Sequence, residues 1–414
     1  MANNITVGLT QGDFNGIGLE VLLKSLSDET VTELFTPVIF ADWRLVEQAR
    51  RTFITEQMHF QRVASADEAV PGHINVVDLR LDDVSLQPGK PTPSSGQGAV
   101  KSLETAVTAL QNGDIDVLVT APISKEAVQS DTFHFPGHTE YLNAKAGEDY
   151  KSQMILFDDH IRVALVTTHL PLSDIASAIT KDKVVEAVKS FASTLRQDFG
   201  VVRPKVAVLS LNPHCGDGGL LGTEEKEVIL PAIDECESAG ILAFGPYASD
   251  GFFGSGAYRD FDGILAMYHD QGLAPFKALA RENGVNFTAG LPFVRTSPDH
   301  GTAYDIAWKG EADPTSMREA IYKAVDIFRN RAIYLEASAN PLRHQSTDRG
   351  QRQDKSVKAE KPEHNEKTEK AERNEKPERS EKPERKDKPE STDKPERKEN
   401  PERPMKTDSA ERPE

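Results

Sequence analysis

Three histidine residues in the second half of the chain follow short apolar runs of similar composition. They are His169, His214 and His269. Each run is typical of a buried β-strand, so each imidazole is expected on a loop at or just beyond a strand end. Three imidazoles around an open fourth position are a common way to hold a catalytic divalent metal. Their spacings of 45 and 55 residues match no local zinc motif, so unrelated polar residues at strand ends are the alternative interpretation.

Residues 264–277 place several reactive groups close together in the sequence. An apolar run ends there in Tyr268, His269 and Asp270, and Lys277 follows about two helical turns later. Open α/β sheets bind their ligands beyond the carboxyl ends of the strands. Asp270 is suitably placed to orient His269 as a metal ligand. We therefore expect this stretch at the centre of a functional site.

Other side chains could hold an anion. Lys277 and Arg295 both lie just downstream of predicted strand ends and could bind a phosphate or a carboxylate. Surface charge is the usual explanation of a lone lysine, whereas Arg295 follows the apolar run LPFV. His138 and Thr139 begin a predicted helix, where backbone N–H groups bind anions, with a plain helix cap as the alternative. Cys215 would permit a cysteine nucleophile, but no base is evident beside it.

Residues 12–18, GDFNGIG, form a glycine turn between a predicted strand and a predicted helix. The spacing G-x-x-x-G-x-G differs from the dinucleotide fingerprint G-x-G-x-x-G. The turn therefore predicts no Rossmann site, and its glycines can equally serve close packing.

Apolar runs and helical patterns alternate along the chain, which predicts an α/β protein with a largely parallel sheet. The predicted strands cover residues 5–10, 37–41, 74–79, 116–120, 154–157, 161–168, 205–211 and 264–267. The predicted helices cover residues 42–51, 98–111, 181–199, 224–239 and 315–332. A hairpin is expected around residues 158–160.

The last part of the chain differs in composition from the rest. Residues 351–414 carry 19 basic and 19 acidic side chains, many prolines and no aromatic residue. Such a segment cannot bury a core, so we predict a disordered tail, with a docking segment as the alternative. The whole net charge of -17 therefore belongs to residues 1–350. An acidic body argues against nucleic acid or an anionic membrane as a partner.

Several negative features predict a cytoplasmic protein. The N-terminus lacks a basic region followed by an apolar run, so no signal peptide is expected. No apolar run approaches the roughly 18 residues of a membrane span. Two cysteines do not make a disulfide framework.

Seven motifs in order resemble the 4-hydroxythreonine-4-phosphate dehydrogenase family of pyridoxal 5′-phosphate synthesis. The motifs are GDFNGIG, TAPISKEA, FPGHTEYL, TTHLPL, NPHCGDGGLLGTEE, MYHDQGLAPFK and NFTAGLPFVRTSPDHGTAYDIA. The resemblance covers residues 5–333 and implies the two-domain α/β/α fold of the isocitrate and isopropylmalate dehydrogenases. It implies a first domain over residues 1–132 and 270–342, a second over 133–269, and a cleft between them. The remaining residues, 343–414, are the tail.

The resemblance also implies an activity: NAD-dependent and metal-dependent oxidation of 4-phosphooxy-L-threonine at C3, then decarboxylation to 3-amino-2-oxopropyl phosphate. The metal implied is zinc, with magnesium or cobalt as alternatives, in a homodimer with shared active sites. The implied metal ligands are His169, His214 and His269. The implied substrate contacts are His138, Thr139, Lys277, Asn286 and Arg295. The implied catalytic residues are Lys277, which could carry a proton or hold an anion, His138 and Asp250. The implied cofactor contacts are Gly290, Leu291, Asp299, Gly301, Thr302 and Asp305.

The chain departs from the family at a few positions. Phe14, Asn15 and Leu19 replace residues that are more common in the glycine turn, and Trp308 stands where related nucleotide loops have a small residue. Three other functions stay open. One is a paralogous dehydrogenase acting on 4-phospho-D-erythronate or 4-phospho-D-threonate. The others are a metal-dependent hydrolase, since three imidazoles also suit activated water, and a non-catalytic binding protein acting through its tail.

Overall fold

The computed structural model describes residues 4–28, 30–55, 58–131 and 133–340. These residues form one twelve-stranded sheet with helices against both faces, so the predicted α/β fold is confirmed. The sheet runs through both expected domains, and their boundary stays a prediction. The expected tail over residues 343–414 lies outside the described residues. Within the described ranges, no helix combines the length and the hydropathy needed to cross a bilayer.

The strands form two parallel halves that run in opposite directions. The strands are β1 (Thr6–Thr10), β2 (Thr36–Ala41), β3 (Phe60–Val63), β4 (Ile74–Asp78), β5 (Val117–Thr120), β6 (Gln153–Phe157), β7 (Arg162–Leu165), β8 (Lys205–Leu209), β9 (Leu242–Tyr247), β10 (Gly263–Ala266), β11 (Val285–Ala289) and β12 (Val294–Pro298). Their order is β3-β4-β2-β1-β5-β12-β11-β6-β7-β10-β8-β9. Three antiparallel pairings, β12 with β11, β11 with β6 and β6 with β7, join the halves. The hairpin between β6 and β7 was predicted, whereas β3, β9 and the reversal were not.

The helices cover both faces of the sheet. They are α1 (Gly18–Ser25), α2 (Val31–Leu34), α3 (Trp43–Phe53), α4 (Pro93–Asn112), α5 (His138–Ala146), α6 (Leu172–Ala178), α7 (Lys181–Gln197), α8 (Leu230–Ser238), α9 (Ser249–Gly254), α10 (His269–Ala280) and α11 (Thr315–Ala339). Helix α4 begins five residues before its predicted start, because Thr92 and Ser95 form a capping box and Pro93 suits the first helical position. The predicted helix over residues 224–239 is a π-helical turn, Glu225–Ile229, followed by α8.

Strand side chains alternate between two faces that are covered differently. On the first face, apolar side chains of the strands form one continuous core with α1, α3, α7, α8 and α11. The second face carries two separate cores. One lies under α4 and α5, and the other lies under α9 and α10.

The gap between the two cores of the second face coincides with a polar strip on the central strands. Its members are Thr120 of β5, Asn286 and Thr288 of β11, and Arg295 and Ser297 of β12. Their apolar neighbours in the same strands point into the continuous core of the first face. Alternation along three adjacent strands therefore places five polar side chains on one surface.

Candidate active site

A cavity of about 540 Å³ lies over the polar strip. Its walls come from the loop after β5, the start of α5, the loop after β7 and the loop after β12. The polar side chains that line it belong to Thr120, Lys125, His138, Thr139, Glu140, His169, Asn286, Arg295, Ser297 and His300. The structure thus brings together four of the five predicted substrate contacts, one predicted metal ligand and the predicted cofactor residue Gly301.

Arg295 is the buried cation of this cavity, with only 3% of its surface exposed. Its Nε lies 3.1 Å from the Thr120 hydroxyl and its Nη1 lies 2.9 Å from the Thr288 hydroxyl. Nη2 also donates to Thr120. Burial lowers the pKa of Arg295 to about 10, and the Glu140 carboxylate opposes that effect. Three of the five guanidinium N–H groups therefore donate to described residues, and among those residues no acceptor takes the other two, which are left for a ligand.

Two further polar atoms beside Arg295 are buried and lack a hydrogen-bond partner in the part of the chain that the structure describes. Within the described residues, neither Nε2 of His138 nor Oδ1 of Asn286 makes a hydrogen bond. Burial lowers the pKa of His138 well below its usual value, and the positive charge of Arg295 lowers it further, so its ring is neutral. Leaving such an atom unpaired costs about 1–3 kcal/mol. A cavity with these atoms is suited to a polar ligand.

Helix α5 starts at the cavity wall. Its N-cap position is Gly137, which has no side chain to cap the first N–H groups. Gly137, His138 and Thr139 all line the cavity. Backbone N–H groups at the start of a helix attract anions, so the expected anion site fits the geometry.

Lys277, a predicted substrate contact, forms an ion pair with Asp299, a predicted cofactor contact. Nζ of Lys277 lies 2.9 Å from Oδ1 of Asp299 and 3.0 Å from its carbonyl oxygen. Burial raises the pKa of Asp299, while Lys277 acts to lower it. About half of the Lys277 side chain, 52%, is exposed. The residue is held as a surface cation near the cavity rather than inside it.

Two of the three predicted metal histidines lie side by side. The strands that precede the three histidines, β7, β10 and β8, are adjacent and parallel. The ring centres of His169 and His269 are 5.9 Å apart. Nδ1 of His269 lies 2.7 Å from Oδ1 of Asp270, which is the expected orienting contact. His214 does not join them, and the described residues contain no group of three His, Cys, Asp or Glu arranged to hold a metal.

His214 lies on a loop with unusual backbone geometry. Residues 214–218 all have positive φ, including 53° at His214, 54° at Cys215 and 43° at Asp217. Such conformations cost on the order of 1 kcal/mol for a residue with a side chain and persist only where the surroundings fix them. Glu225 supplies such a restraint, because its carboxylate accepts the N–H groups of Leu211 and Asn212 at 2.8 and 2.7 Å. The imidazole is thus presented on a fixed and exposed turn.

Some predicted residues lie away from the cavity. Gly290 and Leu291 line a different cavity, beside the ion pair of the buried Asp198 and the partly buried Arg331. Asp250 is exposed in the first turn of α9. The predicted cofactor residues Thr302 and Asp305 follow Gly301, and Asp305 is exposed.

Several lining residues were not predicted from the sequence. Five of them lie within quoted motifs but were assigned no role: Thr120, Lys125, Glu140, Ser297 and His300. Nδ1 of His300 lies 3.1 Å from the Gly301 carbonyl and therefore carries the proton, while its buried Nε2 has no partner among the described residues. The signal for the strand residues was present as polar letters at alternate positions in VNFTA and VRTSP.

A buried arginine, a histidine with a buried Nε2 and an uncapped helix start over one cavity of an α/β sheet define a site for a small polar ligand. Residues 33–324 match the family model described as pyridoxal phosphate biosynthetic protein PdxA. The chain belongs to this family, as its motifs predicted, and is an oxidoreductase.

Individual relatives are similar over almost their whole length. The chain is 54% identical over 352 residues to a 4-hydroxythreonine-4-phosphate dehydrogenase of Bacteroides thetaiotaomicron, covering 85% of this chain and 96% of that protein. It is 39% identical over 329 residues to a D-threonate 4-phosphate dehydrogenase of Cupriavidus necator, covering 79% and 98%. The crystal structure of 4-hydroxythreonine-4-phosphate dehydrogenase from Klebsiella pneumoniae superposes with a TM-score of 0.70 at 33% identity, covering 79% and 99%.

Proposed function

We propose that this chain oxidises 4-phosphooxy-L-threonine at C3 with NAD, in a metal-dependent reaction, and that decarboxylation then yields 3-amino-2-oxopropyl phosphate for pyridoxal 5′-phosphate synthesis. The observation that carries the proposal is Arg295, a buried cation with two unused N–H groups over a cavity. A doubly negative phosphate is the ligand that such a fork binds best. The 54% identity to a relative with this name supports the particular substrate.

The phosphate is held by Arg295 together with the start of α5. The guanidinium donates its two unused N–H groups, and the Thr139 hydroxyl and the first N–H groups of α5 complete the site. Because His138 is neutral, it hydrogen-bonds the ligand without adding charge. The body of the chain is acidic, so these local donors, and not a general field, must hold the anion.

Lys277 binds the other anionic end of the substrate, its carboxylate. Its ion pair with Asp299 keeps the ammonium near the cavity. A role as a proton carrier would depend on burial, and half of this side chain is exposed. The cation role is therefore the one we adopt. Asp250, on the exposed first turn of α9, would have to approach the substrate from outside the described cavity.

The donor set fits a divalent metal in part. His169 and His269 lie close enough for both rings to face one ion, and Asp270 on Nδ1 of His269 leaves Nε2 as its metal-binding atom. His214 of the same chain stands apart, so the third ligand is assigned to a second copy of this chain, as in a homodimer with shared sites. When bound, a metal such as zinc supplies a Lewis acid that favours loss of the hydroxyl proton and polarises the ketone.

The cofactor is assigned to the segment after β12. Gly301 at the cavity rim, with Asp299, Thr302 and Asp305, would hold the nicotinamide nucleotide, which accepts the hydride. Gly290 lines a different cavity, so it would contact only a part of the cofactor that extends beyond the substrate cavity.

A homodimer is supported by exposed leucines beside two of the histidines. Leu170 and Leu172 follow His169, and Leu172 is 76% exposed. Leu220 and Leu221 follow His214, and Leu220 is 79% exposed. Apolar patches of this kind mark contact surfaces. A cytoplasmic location is part of the same proposal, because the substrate and cofactor are products of metabolism.

A second candidate substrate is 4-phospho-D-threonate or 4-phospho-D-erythronate, since one relative at 39% identity is a D-threonate 4-phosphate dehydrogenase. Both candidates share the phosphate and differ at C2, which carries an ammonium or a hydroxyl. The test is the rate of NADH formation with the three phosphorylated acids at equal concentration. The proposal predicts the highest kcat/KM with 4-phosphooxy-L-threonine, and a higher value with a threonate or erythronate would assign the chain to the second activity.

A further inference from the structure

The glycine turn over residues 12–18 has no role in the proposed reaction, although all seven residues are buried. Its glycines face backbone atoms at close range. A Cβ on Gly12 would come within 2.4 Å of the Pro122 carbonyl oxygen, and one on Gly16 within 2.8 Å of the Thr302 carbonyl oxygen. A phosphate cradle needs backbone N–H groups that face a ligand. This turn is instead packed against two segments, the loop after β5 and the segment after β12.

Asp13 is the polar centre of that contact. One carboxylate oxygen, Oδ2, accepts hydrogen bonds from the hydroxyls of Tyr304 and Ser95, both at 2.9 Å. The other, Oδ1, accepts the N–H of Asn15 at 2.9 Å. Burial raises the pKa of Asp13, and the hydrogen bonds from Tyr304, Asn15 and Ser95 oppose that rise. A single buried carboxylate thus joins the glycine turn, the start of α4 and the segment after β12.

Two more hydrogen bonds tie the same segment to the turn. The N–H of Ile17 donates to the Thr302 carbonyl at 3.0 Å. The indole N–H of Trp308 donates to the Phe14 carbonyl at 2.8 Å. Trp308 has a φ of 62°, a conformation that is unfavourable for a residue with a side chain. Its ring also packs against Phe53, with ring centres 5.2 Å apart.

We infer that Asp13, acting through Tyr304, is a positioning residue for residues 301–305, which hold the nicotinamide nucleotide. The inference rests on the proposed function. Ordering a loop when a ligand binds reduces affinity, whereas a loop that is already fixed avoids that loss. The Asp13–Tyr304 hydrogen bond fixes the segment beside Gly301, whereas Arg295 is held separately by the hydroxyls of Thr120 and Thr288. Loss of the Asp13–Tyr304 hydrogen bond therefore weakens the binding of NAD and leaves the phosphate contacts at Arg295 unchanged.

The test uses the full chain with Tyr304→Phe, which removes the hydroxyl and keeps the ring. Asp13→Asn is the second variant, because it keeps the shape of the acceptor and removes the charge. Calorimetric titration with NAD should give a Kd about tenfold higher in each variant, equivalent to about 1.4 kcal/mol. KM for 4-phosphooxy-L-threonine, measured at saturating NAD, should stay within about twofold. Tyr258→Phe is the matched control, since Tyr258 is a buried tyrosine of the core under α9 and α10.

A spectroscopic readout separates positioning from general damage. Trp43 and Trp308 are the two tryptophans, so a Trp43→Phe background reports Trp308 alone. Its emission should shift with Tyr304→Phe and stay unchanged with Tyr258→Phe. An unchanged Kd for NAD in Tyr304→Phe, or an equal rise in NAD Kd and substrate KM, would overturn the inference. If the parent protein binds no NAD at all, the proposed function fails, and this inference fails with it.

Discussion

Arg295→Ala is the substitution that tests the anion site most sharply. The guanidinium is buried, donates to two threonine hydroxyls and has no acidic partner at hydrogen-bond distance within the described residues. Truncation removes the two N–H groups that the proposal assigns to the phosphate. Removing one partner of a desolvated charge pair costs about 2–5 kcal/mol. At about 1.4 kcal/mol per decade, kcat/KM should fall by roughly 30-fold to several thousand-fold.

The assay compares two enzymes with two substrates. Parent and Arg295→Ala are each measured with 4-phosphooxy-L-threonine and with 4-hydroxythreonine, which lacks the phosphate. With the parent enzyme, kcat/KM should be at least about two decades lower for the unphosphorylated substrate than for the phosphorylated one. The Arg295→Ala substitution should lower kcat/KM for the unphosphorylated substrate little further, because the contact that it removes is already absent. Arg295→Lys should recover only part of the loss, since an ammonium replaces a planar fork.

A matched control is available in a second arginine, which is partly buried. Arg331 pairs with Asp198 at 2.9 Å beside a different cavity. Arg331→Ala should lower the melting temperature and change kcat/KM by the same factor with both substrates. If Arg295→Ala also costs the same factor with both substrates, Arg295 does not bind the phosphate and the reasoning is refuted.

Three further predictions concern the histidines. The His169→Ala and His214→Ala variants should each be inactive alone. Mixing them should restore part of the activity if the metal site is shared between copies, because one site of each mixed dimer is intact. No recovery would place all ligands in one chain. Asp270→Asn should weaken metal affinity about 10- to 100-fold, measured by competition with a chelator, and an unchanged affinity would remove Asp270 from the site. The pKa of His138 in the folded state lies well below its unfolded value of 6.5. Its contribution to the free energy of unfolding is therefore complete above pH 6.5 and is lost as the pH falls below that value. The loss is at most about 1.4 kcal/mol per pH unit. Urea unfolding at several pH values should show that the free energy of unfolding falls less steeply with decreasing pH in His138→Asn than in the parent. Equal slopes in the two proteins would mean that this ring is protonated in the folded state.

Local signals in the sequence predicted much of the fold. Asp42 caps α3 as expected, since its side chain accepts the N–H of Arg44. Helix α7 begins at the predicted residue, Lys181. The direction of the two halves of the sheet was not predicted, because the antiparallel pairings of β6 and β11 depend on contacts between distant segments. Periodicity gives the faces of a strand but not its neighbours.

The candidate site was predicted only where a motif marked it. Four of the substrate contacts that the resemblance implied line one cavity, and their roles stay predictions: His138, Thr139, Asn286 and Arg295. The role of Thr120 as the acceptor for Arg295 could not be read from the sequence, because the two residues are 175 positions apart. His214 stands apart from His169 and His269 within the described chain, and the spacing of the three histidines did not predict that separation.

Two positions that depart from the family pattern lie in contact with each other. Phe14 and Trp308 both differ from the common residues of their motifs, and they are joined by a hydrogen bond from the indole to the Phe14 carbonyl. Each departure alone suggested only an altered pocket. The bond is accepted by the backbone of residue 14, so it depends on the Trp308 side chain and not on the Phe14 side chain.

The central claim is a metal-dependent transfer of hydride from 4-phosphooxy-L-threonine to NAD. Its most direct measurement follows the nicotinamide absorbance and released CO2 with chelated enzyme, first without and then with added zinc. We expect no NADH without the metal, and equal amounts of NADH and CO2 once zinc is restored. Full turnover by verified metal-free enzyme, or the absence of NADH with zinc, magnesium and cobalt alike, would contradict the account.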